Sequence, residues 1–226
     1  MNFTLLIQGR IDAECLLRNV ENFKSSPVVV STWEGQNLPA LYGSVIVVKN
    51  KMPDFHGIQN FMLQLISTLE GLKTVETEYV IKVRGDEFFN YTKLMKKVES
   101  KRDVIFSIPV FFRSFDFWPY HISDHMMAGR TDYMRSMFSV AKLKYETTLS
   151  HDDCKEWGLT KAHMANMGFE KFEDYELGKA EMKRLFDIAD LNELKDYRIT
   201  INSHGSKFYN NFVPSHWGSI EDIKSL

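Results

Sequence analysis

Tyr79-Val80-Ile81-Lys82-Val83-Arg84-Gly85-Asp86-Glu87-Phe88 is the stretch from which the fold can be read. Tyr, Val and Ile favour a pleated, packed strand. Gly85 interrupts the run and lets the backbone turn. Asp86 and Glu87 follow at once, with Lys82 and Arg84 two residues apart behind them. In open α/β sheets, ligands collect beyond the carboxyl ends of the strands. A carboxylate there, beside two cations, suits a phosphate ester, bare or metal-bound. The plain alternative is a surface turn with solvated charges, since structural ion pairs also cluster charge. If the extended backbone continues, Glu87 points away from Asp86, and Asp86 is the acid that matters.

The segments on either side repeat one rhythm. Phe3 to Ile7 reads as a first buried strand closed by Gln8-Gly9-Arg10, and a helix follows from about Asp12 to Lys24. Asp12 suits an N-cap, and Ala13, Leu16, Leu17, Val20 and Phe23 share one face. Val28 to Thr32 is a second strand ending at Trp33-Glu34-Gly35, and Ser44 to Lys49 a third. Ile58, Phe61, Met62, Leu65, Ile66, Leu69 and Leu72 step by three and four along a helix whose last turn Gly71 weakens. That helix leads into the strand at Tyr79. A helix near Tyr91 to Glu99 and a strand from Val104 to Pro109 continue the pattern. Such alternation implies right-handed βαβ units and a mainly parallel sheet.

Past Pro109 the rhythm breaks. Phe111, Phe112, Phe115, Phe117, Trp118 and Tyr120 crowd a short stretch, which reads as core or a packed hairpin before it reads as a sugar platform. Thr131 caps a short helix through Phe138, Ser150 and Asp152 open another, and a last helix runs from about Tyr175 to Ile188. No internal repeat or linker appears.

At 226 residues, with 44% hydrophobic and 26% charged, the composition is that of a soluble globular chain of one sizeable domain. A net charge of −2 and the lack of a basic run argue against nucleic acid as partner. Two cysteines far apart, Cys15 and Cys154, make no disulfide framework and suggest a reducing compartment. No secretory leader and no apolar run of membrane-spanning length appear. The expected place is the cytoplasm, with any membrane-bound substrate met from the membrane surface.

Familiar catalytic signals are missing. No glycine-rich dinucleotide fingerprint, phosphate loop or nucleophile elbow is present. His121 and His125 stand four apart, which would suit one helix face, but no Glu follows His121 and no zinc-protease pattern results. They read as ordinary polar residues near a turn. What remains is a set of polar strand ends: Gln8, Gly9 and Arg10; Trp33 and Glu34; Arg84, Asp86 and Glu87. These would line one crevice, with Trp33 beside a base, Arg10 on a phosphate and Asp86 on a divalent cation. The bland assignment puts Trp33 in the core and Arg10 in a surface pair.

Several of these segments resemble the WavE-type lipopolysaccharide synthesis proteins. Gln64-Leu65-Ile66-Ser67-Thr68-Leu69-Glu70-Gly71-Leu72 and Thr77 to Asp86 resemble that family's Gln-x-x-Ser-Thr-x-x-Gly-Leu helix and Tyr-Val-x-Lys-x-Arg-x-Asp strand. Val30-Ser31-Thr32-Trp33 resembles its Ser-Thr-Trp strand end. His121-Ile122-Ser123-Asp124-His125 and Ala128-Gly129-Arg130-Thr131 resemble a later block. The resemblance implies a GT-A-like glycosyltransferase: a Rossmann-type α/β/α sandwich with a mainly parallel central sheet. It would be one domain over residues 1–226, with a nucleotide-sugar half at 1–110 and an acceptor-side half at 111–226. Gln64, Lys82, Arg84 and Asp86 would join Gln8, Gly9, Arg10 and Trp33 around the donor.

Two departures stand out. Arg84 occupies the place of the first acid of the metal-binding Asp-x-Asp of GT-A-type enzymes, so only Asp86 is left to hold manganese or magnesium. Leu63 stands where an Arg is expected before the helix glutamine. The implied reaction moves a sugar from a nucleoside-diphosphate sugar to a hydroxyl of a growing glycan or glycolipid. Its diphosphate leaving group needs charge neutralisation. An inverting enzyme also needs a base, for which Asp124 is the first candidate and Asp153 and Glu156 the next. The rivals are a non-catalytic carbohydrate-binding protein on the same fold and, more distantly, a phosphoesterase using Asp86 and Glu87.

Overall fold

The structure is a computed structural model that describes residues 2–57, 60–110, 119–148, 156–191, 194, 196–201 and 207–210. Its elements run β1 (Phe3–Gln8), α1 (Ala13–Asn22), β2 (Val28–Trp33), β3 (Val45–Asn50), α2 (Phe61–Lys73), β4 (Tyr79–Arg84) and α3 (Thr92–Ser100). They continue as β5 (Ile105–Ser107), β6 (Met126–Arg130), α4 (Thr131–Thr148), α5 (Glu156–Asn166), α6 (Tyr175–Leu185), β7 (Phe186–Ile188), β8 (Arg198–Ile201) and β9 (Lys207–Asn210). Among the described residues, β1 to β7 form one sheet in the order β3-β2-β1-β4-β6-β5-β7, and β8 pairs with β9 apart from it. β1, β2, β3 and β4 are parallel neighbours, β7 is parallel to β5, and β6 runs against both β4 and β5.

Strand alternation divides the core into two layers. Phe3, Leu5 and Ile7 of β1 and Tyr79, Ile81 and Val83 of β4 pack with Leu16 of α1 and Leu94 and Val98 of α3. Leu6 and Val80 face the other way, toward Leu65 and Leu72 of α2, Phe138 of α4, Leu159 of α5 and Leu185 of α6. Each fully buried aliphatic side chain contributes about 1.5–3 kcal/mol. Helices on both faces of a mainly parallel sheet make the GT-A-like, Rossmann-type α/β/α sandwich that the resemblance implies.

The boundaries of α1 and of the first four strands lie within a few residues of the sequence reading. Asp12 caps α1, its carboxylate accepting the Cys15 N–H at 3.0 Å. α2 differs in which face it buries: Ser67, Thr68 and Gly71 lie against the sheet, while Ile66 and Leu69 are only partly covered. Gly71 does more than weaken a turn, for a Cβ there would stand 2.3 Å from Leu6 Cδ1 and 2.9 Å from Ser31 Cβ. Its missing side chain is what lets α2 press onto β1.

The second half departs further. Residues 121–125 form no helix, so His121 and His125 share no helix face, and β6 follows them. α4 runs on to Thr148, ten residues past Phe138, because Ala141 and Tyr145 continue its buried stripe. Phe186 to Ile188 leave the expected last helix and pair with Ile105 to Ser107, covering the open edge of β5. The aromatic run 111–118 and the expected helix start at Ser150 and Asp152 lie outside the described residues.

Candidate functional site

The reversed strand explains how the site is assembled. β1, β2 and β4 end at Gln8, Trp33 and Arg84 on one rim of the sheet. β6 begins at Met126, paired with Val83, so the chain arriving through residues 121–125 reaches that same rim. The Arg84 N–H donates to the His125 carbonyl at 3.3 Å, extending the ladder by one step. Asp124 therefore lies just before a strand, not beyond the last one.

Gly85 closes the turn by close approach. Its N–H donates to the Gln8 carbonyl at 2.8 Å and its carbonyl accepts the Asp12 N–H at 2.9 Å. A Cβ on it would meet the Arg10 carbonyl and Ile11 Cδ1, each at 2.5 Å. The loop after β1 can thus lie directly over the end of β4. Asp86 and Glu87 leave that turn side by side, the Glu87 N–H donating to the Arg84 carbonyl at 3.2 Å.

Register places Leu6 opposite Lys82 and Gln8 opposite Arg84, so Gln8, Lys82 and Arg84 stand on the face toward α2. Ser67 Oγ of α2 donates to Gln8 Oε1 at 2.6 Å. Gln64, one helical turn earlier, donates its amide to Asp124 Oδ2. The ammonium of Lys82, fully buried, donates to the Asp124 carbonyl. Burial works to raise the Asp124 pKa, but the charge of Lys82, with that of Arg84 behind it, outweighs burial and holds the carboxyl below its ordinary value. Asp124 is thus an ionised acceptor, and a weaker base for it.

Above this buried layer lies a more accessible one. Arg84 donates Nε to Asp86 Oδ1 at 3.0 Å and Nη2 to Oδ2 at 2.8 Å, a bidentate pair. The two side chains are 33% and 28% exposed, so the pair is partly open to solvent at the rim of the sheet. Burial acts to raise the Asp86 carboxyl, but the Arg84 charge and hydrogen bonds bring it below the usual range. Burial acts to lower the Arg84 pKa, but Asp86 and Glu87 raise it further still. Asp86 would have to leave Arg84 to ligate a cation, and among the described residues no group of three or more His, Cys, Asp or Glu is placed to hold a metal. These donors do not fit a divalent cation held by the protein's own side chains.

Two residues, given lesser parts by the sequence, join this cluster. Glu87 does not point away: its side chain is fully buried, with Oε1 2.5 Å from His125 Nδ1. His125, read as an ordinary turn residue, also stands 3.4 Å through Nε2 from Arg84 Nη1. Its only sequence signal was its place beside Asp124. Ser67 was legible in principle, since a Ser three residues after Gln64 shares its helix face.

The remaining sequence candidates are less engaged. Gly9 donates its N–H to the Ser31 carbonyl at 2.9 Å and accepts from Thr32 Oγ1 at 2.8 Å, both of which shape the loop. The Arg10 side chain is exposed and makes no ion pair among the described residues. Trp33 is only 7% exposed, so its ring is packed rather than open to a base. Asp153 lies outside the described residues, and Glu156 opens α5 with its side chain undescribed. Cys15 is buried and free, and burial pushes its thiol up, away from reactivity. No helix among the described residues is long and apolar enough to cross a membrane.

Two solved structures of HddC from Yersinia pseudotuberculosis, one complexed with GMP-PN, align at 11% identity and a TM-score of 0.40 over 60% of this chain and 79% of theirs. That likeness is too slight to carry a fold or a ligand across. No curated protein matches the sequence. Family membership is clear: the WavE lipopolysaccharide synthesis family model matches residues 5–218, nearly the whole length, and the chain belongs to that family.

Proposed function

We propose that the chain is a glycosyltransferase that moves a sugar from a nucleoside-diphosphate sugar to a hydroxyl of a lipopolysaccharide-type glycan or glycolipid. The observation that carries this reading is the partly exposed Arg84–Asp86 pair at the carboxyl end of β4, beside buried Lys82 and Asp124 and the half-buried Gln64 that bonds Asp124. In the reaction the acceptor oxygen bonds to the anomeric carbon, and the bond from that carbon to the diphosphate oxygen breaks. The leaving diphosphate takes the electron pair, and its charge is met by Arg84 and by the exposed Arg10. Lys82 is too deep to reach a substrate and acts by holding the Asp124 carbonyl. Asp124 accepts a hydrogen bond from the acceptor hydroxyl, whose proton passes either to Asp124 as base or to the departing diphosphate oxygen. The manganese or magnesium expected at Asp86 has no step in this reading, and Trp33 has no role in it.

Nucleoside diphosphates should raise the melting temperature of the parent protein, since a ligand at a hundred times its Kd stabilises by about 2.7 kcal/mol. Repeating the titration with manganese shows whether a metal adds to that. With a matched nucleotide sugar, slow release of nucleoside diphosphate without acceptor marks a transferase. Binding with no release marks a carbohydrate-binding protein instead. Asp86→Asn should lose most turnover, and wild-type turnover in that variant counts against the reading.

A further inference from the structure

The bonds around Arg84 can be counted. A guanidinium carries five N–H donors and accepts nothing. Asp86 takes one from Nε and one from Nη2, and His125 takes one from Nη1. Among the described residues the two left over belong one to Nη1 and one to Nη2; with His125 on the Nη1 hydrogen nearer Cδ, they are the pair that meets a phosphate oxygen for oxygen.

His125 accepts from Arg84 only if Nε2 carries no proton. The ring proton then sits on Nδ1, where Glu87 Oε1 accepts it at 2.5 Å. One tautomer satisfies both contacts, and the other satisfies neither. Glu87 is itself tied down: Asn19 Nδ2 donates to its carbonyl at 2.7 Å, and the Tyr91 hydroxyl donates to Asn19 Oδ1 at 2.6 Å. His125 is held from the other side, its N–H 3.4 Å from Ser123 Oγ and the Ser123 carbonyl accepting from Ser107 Oγ at 2.5 Å.

We propose that Glu87 and His125 are positioning residues that lock the Arg84 guanidinium between Asp86 and the imidazole, leaving its two remaining N–H groups turned to the crevice as a phosphate fork. The idea rests on the crevice being the diphosphate site. A merely structural Glu87–His125 pair would tie the loop after β4 to the start of β6 and leave Arg84 indifferent to it.

Nitrogen NMR of the parent protein tests the lock without any ligand. The expected result is a single Nδ1–H tautomer for His125 and a slowly rotating Arg84 guanidinium. In Glu87→Gln the ring should populate both tautomers and the Arg84 signals should average. Affinity for inorganic pyrophosphate, measured by calorimetry, should fall about tenfold in that variant, equivalent to about 1.4 kcal/mol. His125→Gln, whose amide carbonyl can accept from Arg84, should retain more of that affinity than His125→Leu.

An Nε2–H tautomer in the parent protein overturns the proposal. So does a Glu87→Gln variant with unchanged ring and guanidinium signals, or equal affinity in the two His125 variants. If Glu87→Gln does not fold, the parent spectra and the His125 pair decide. Failure of the parent protein to bind pyrophosphate or any nucleoside diphosphate removes the diphosphate reading and the fork with it, while the spectra still report whether Arg84 is locked.

Discussion

On one face of β4 stand Tyr79, Ile81 and Val83, buried with Phe3, Leu5 and Ile7 of β1. On the other stand Val80, Lys82 and Arg84, which grow more polar toward the carboxyl end. Both faces are covered by helices, yet only the second carries charge. Burying an ammonium costs several kcal/mol unless it is paired and fully bonded. The first face is thus explained by stability alone. The second holds Lys82, Gln8 and Arg84 where a purely structural sheet would place Leu or Val, and its partners on α2 are Gln64 and Ser67. A strand that spends stability on one face, near the end where ligands gather in open α/β sheets, is what the proposed site would require.

Substitutions on β4 can break that contrast. Lys82→Met should be the most damaging, at about 3–5 kcal/mol, because it strips a buried partner from Asp124. Urea denaturation measures it, and a variant as stable as the parent would mean that Lys82 is not integral to this layer. Ile81→Ala, its neighbour on the apolar face, should cost about 2–5 kcal/mol through the cavity alone. Turnover per folded molecule should stay near the parent value, and loss of turnover without loss of stability would erase the difference between the faces. Arg84→Ala should do the reverse, lowering transfer about a hundredfold while moving the melting temperature little.

The smallest effect sharpens the contrast by pH. His163 of α5 shares the α2-side layer, between the rings of Tyr133 and Phe186 at 5.4 and 5.3 Å, and neither ring nitrogen has a hydrogen-bond partner among the described residues. Burial, and then the charge of Arg184, push its pKa down from 6.5 to about 4. The fold keeps this ring neutral, while the unfolded chain takes up a proton at about 6.5. Its contribution is intact above pH 6.5 and is lost as pH falls from there toward 4, at up to about 1.4 kcal/mol per pH unit. Asp86 and Asp124 act lower down: their folded pKa values lie below 3.8, so their contribution is present above about pH 3.8 and lost beneath it. Denaturation across pH 4 to 7 should show the His163 slope, and His163→Met should flatten it. A slope unchanged in that variant assigns it to another group.

Much of the polar rim was legible because the information is local. Alternation in Tyr79 to Arg84, the glycine after it and the helix spacing of Gln64 and Ser67 follow from periods of 2 and 3.6 residues. They put Gln8, Gln64, Lys82 and Arg84 on the strands and helix where the structure has them, without any knowledge of long-range pairing. Trp33 shows the limit of the same logic. A strand end says where a residue is, but the packing around it decides whether its ring is open.

The sequence by itself determined the βαβ rhythm, the mainly parallel sheet, the family and the strand ends that form the rim. Tertiary structure alone decided that β6 runs backwards, and with it the meeting of Asp124 and His125 with Lys82 and Arg84, about forty residues earlier in the chain. It also turned Glu87 inward and bound Asp86 to Arg84. The physical reason is that hydrophobic periodicity records which face of an element is buried but not which strand becomes its neighbour. A charged side chain's partner is settled only when pairing and turn geometry bring distant segments to the same edge of the sheet.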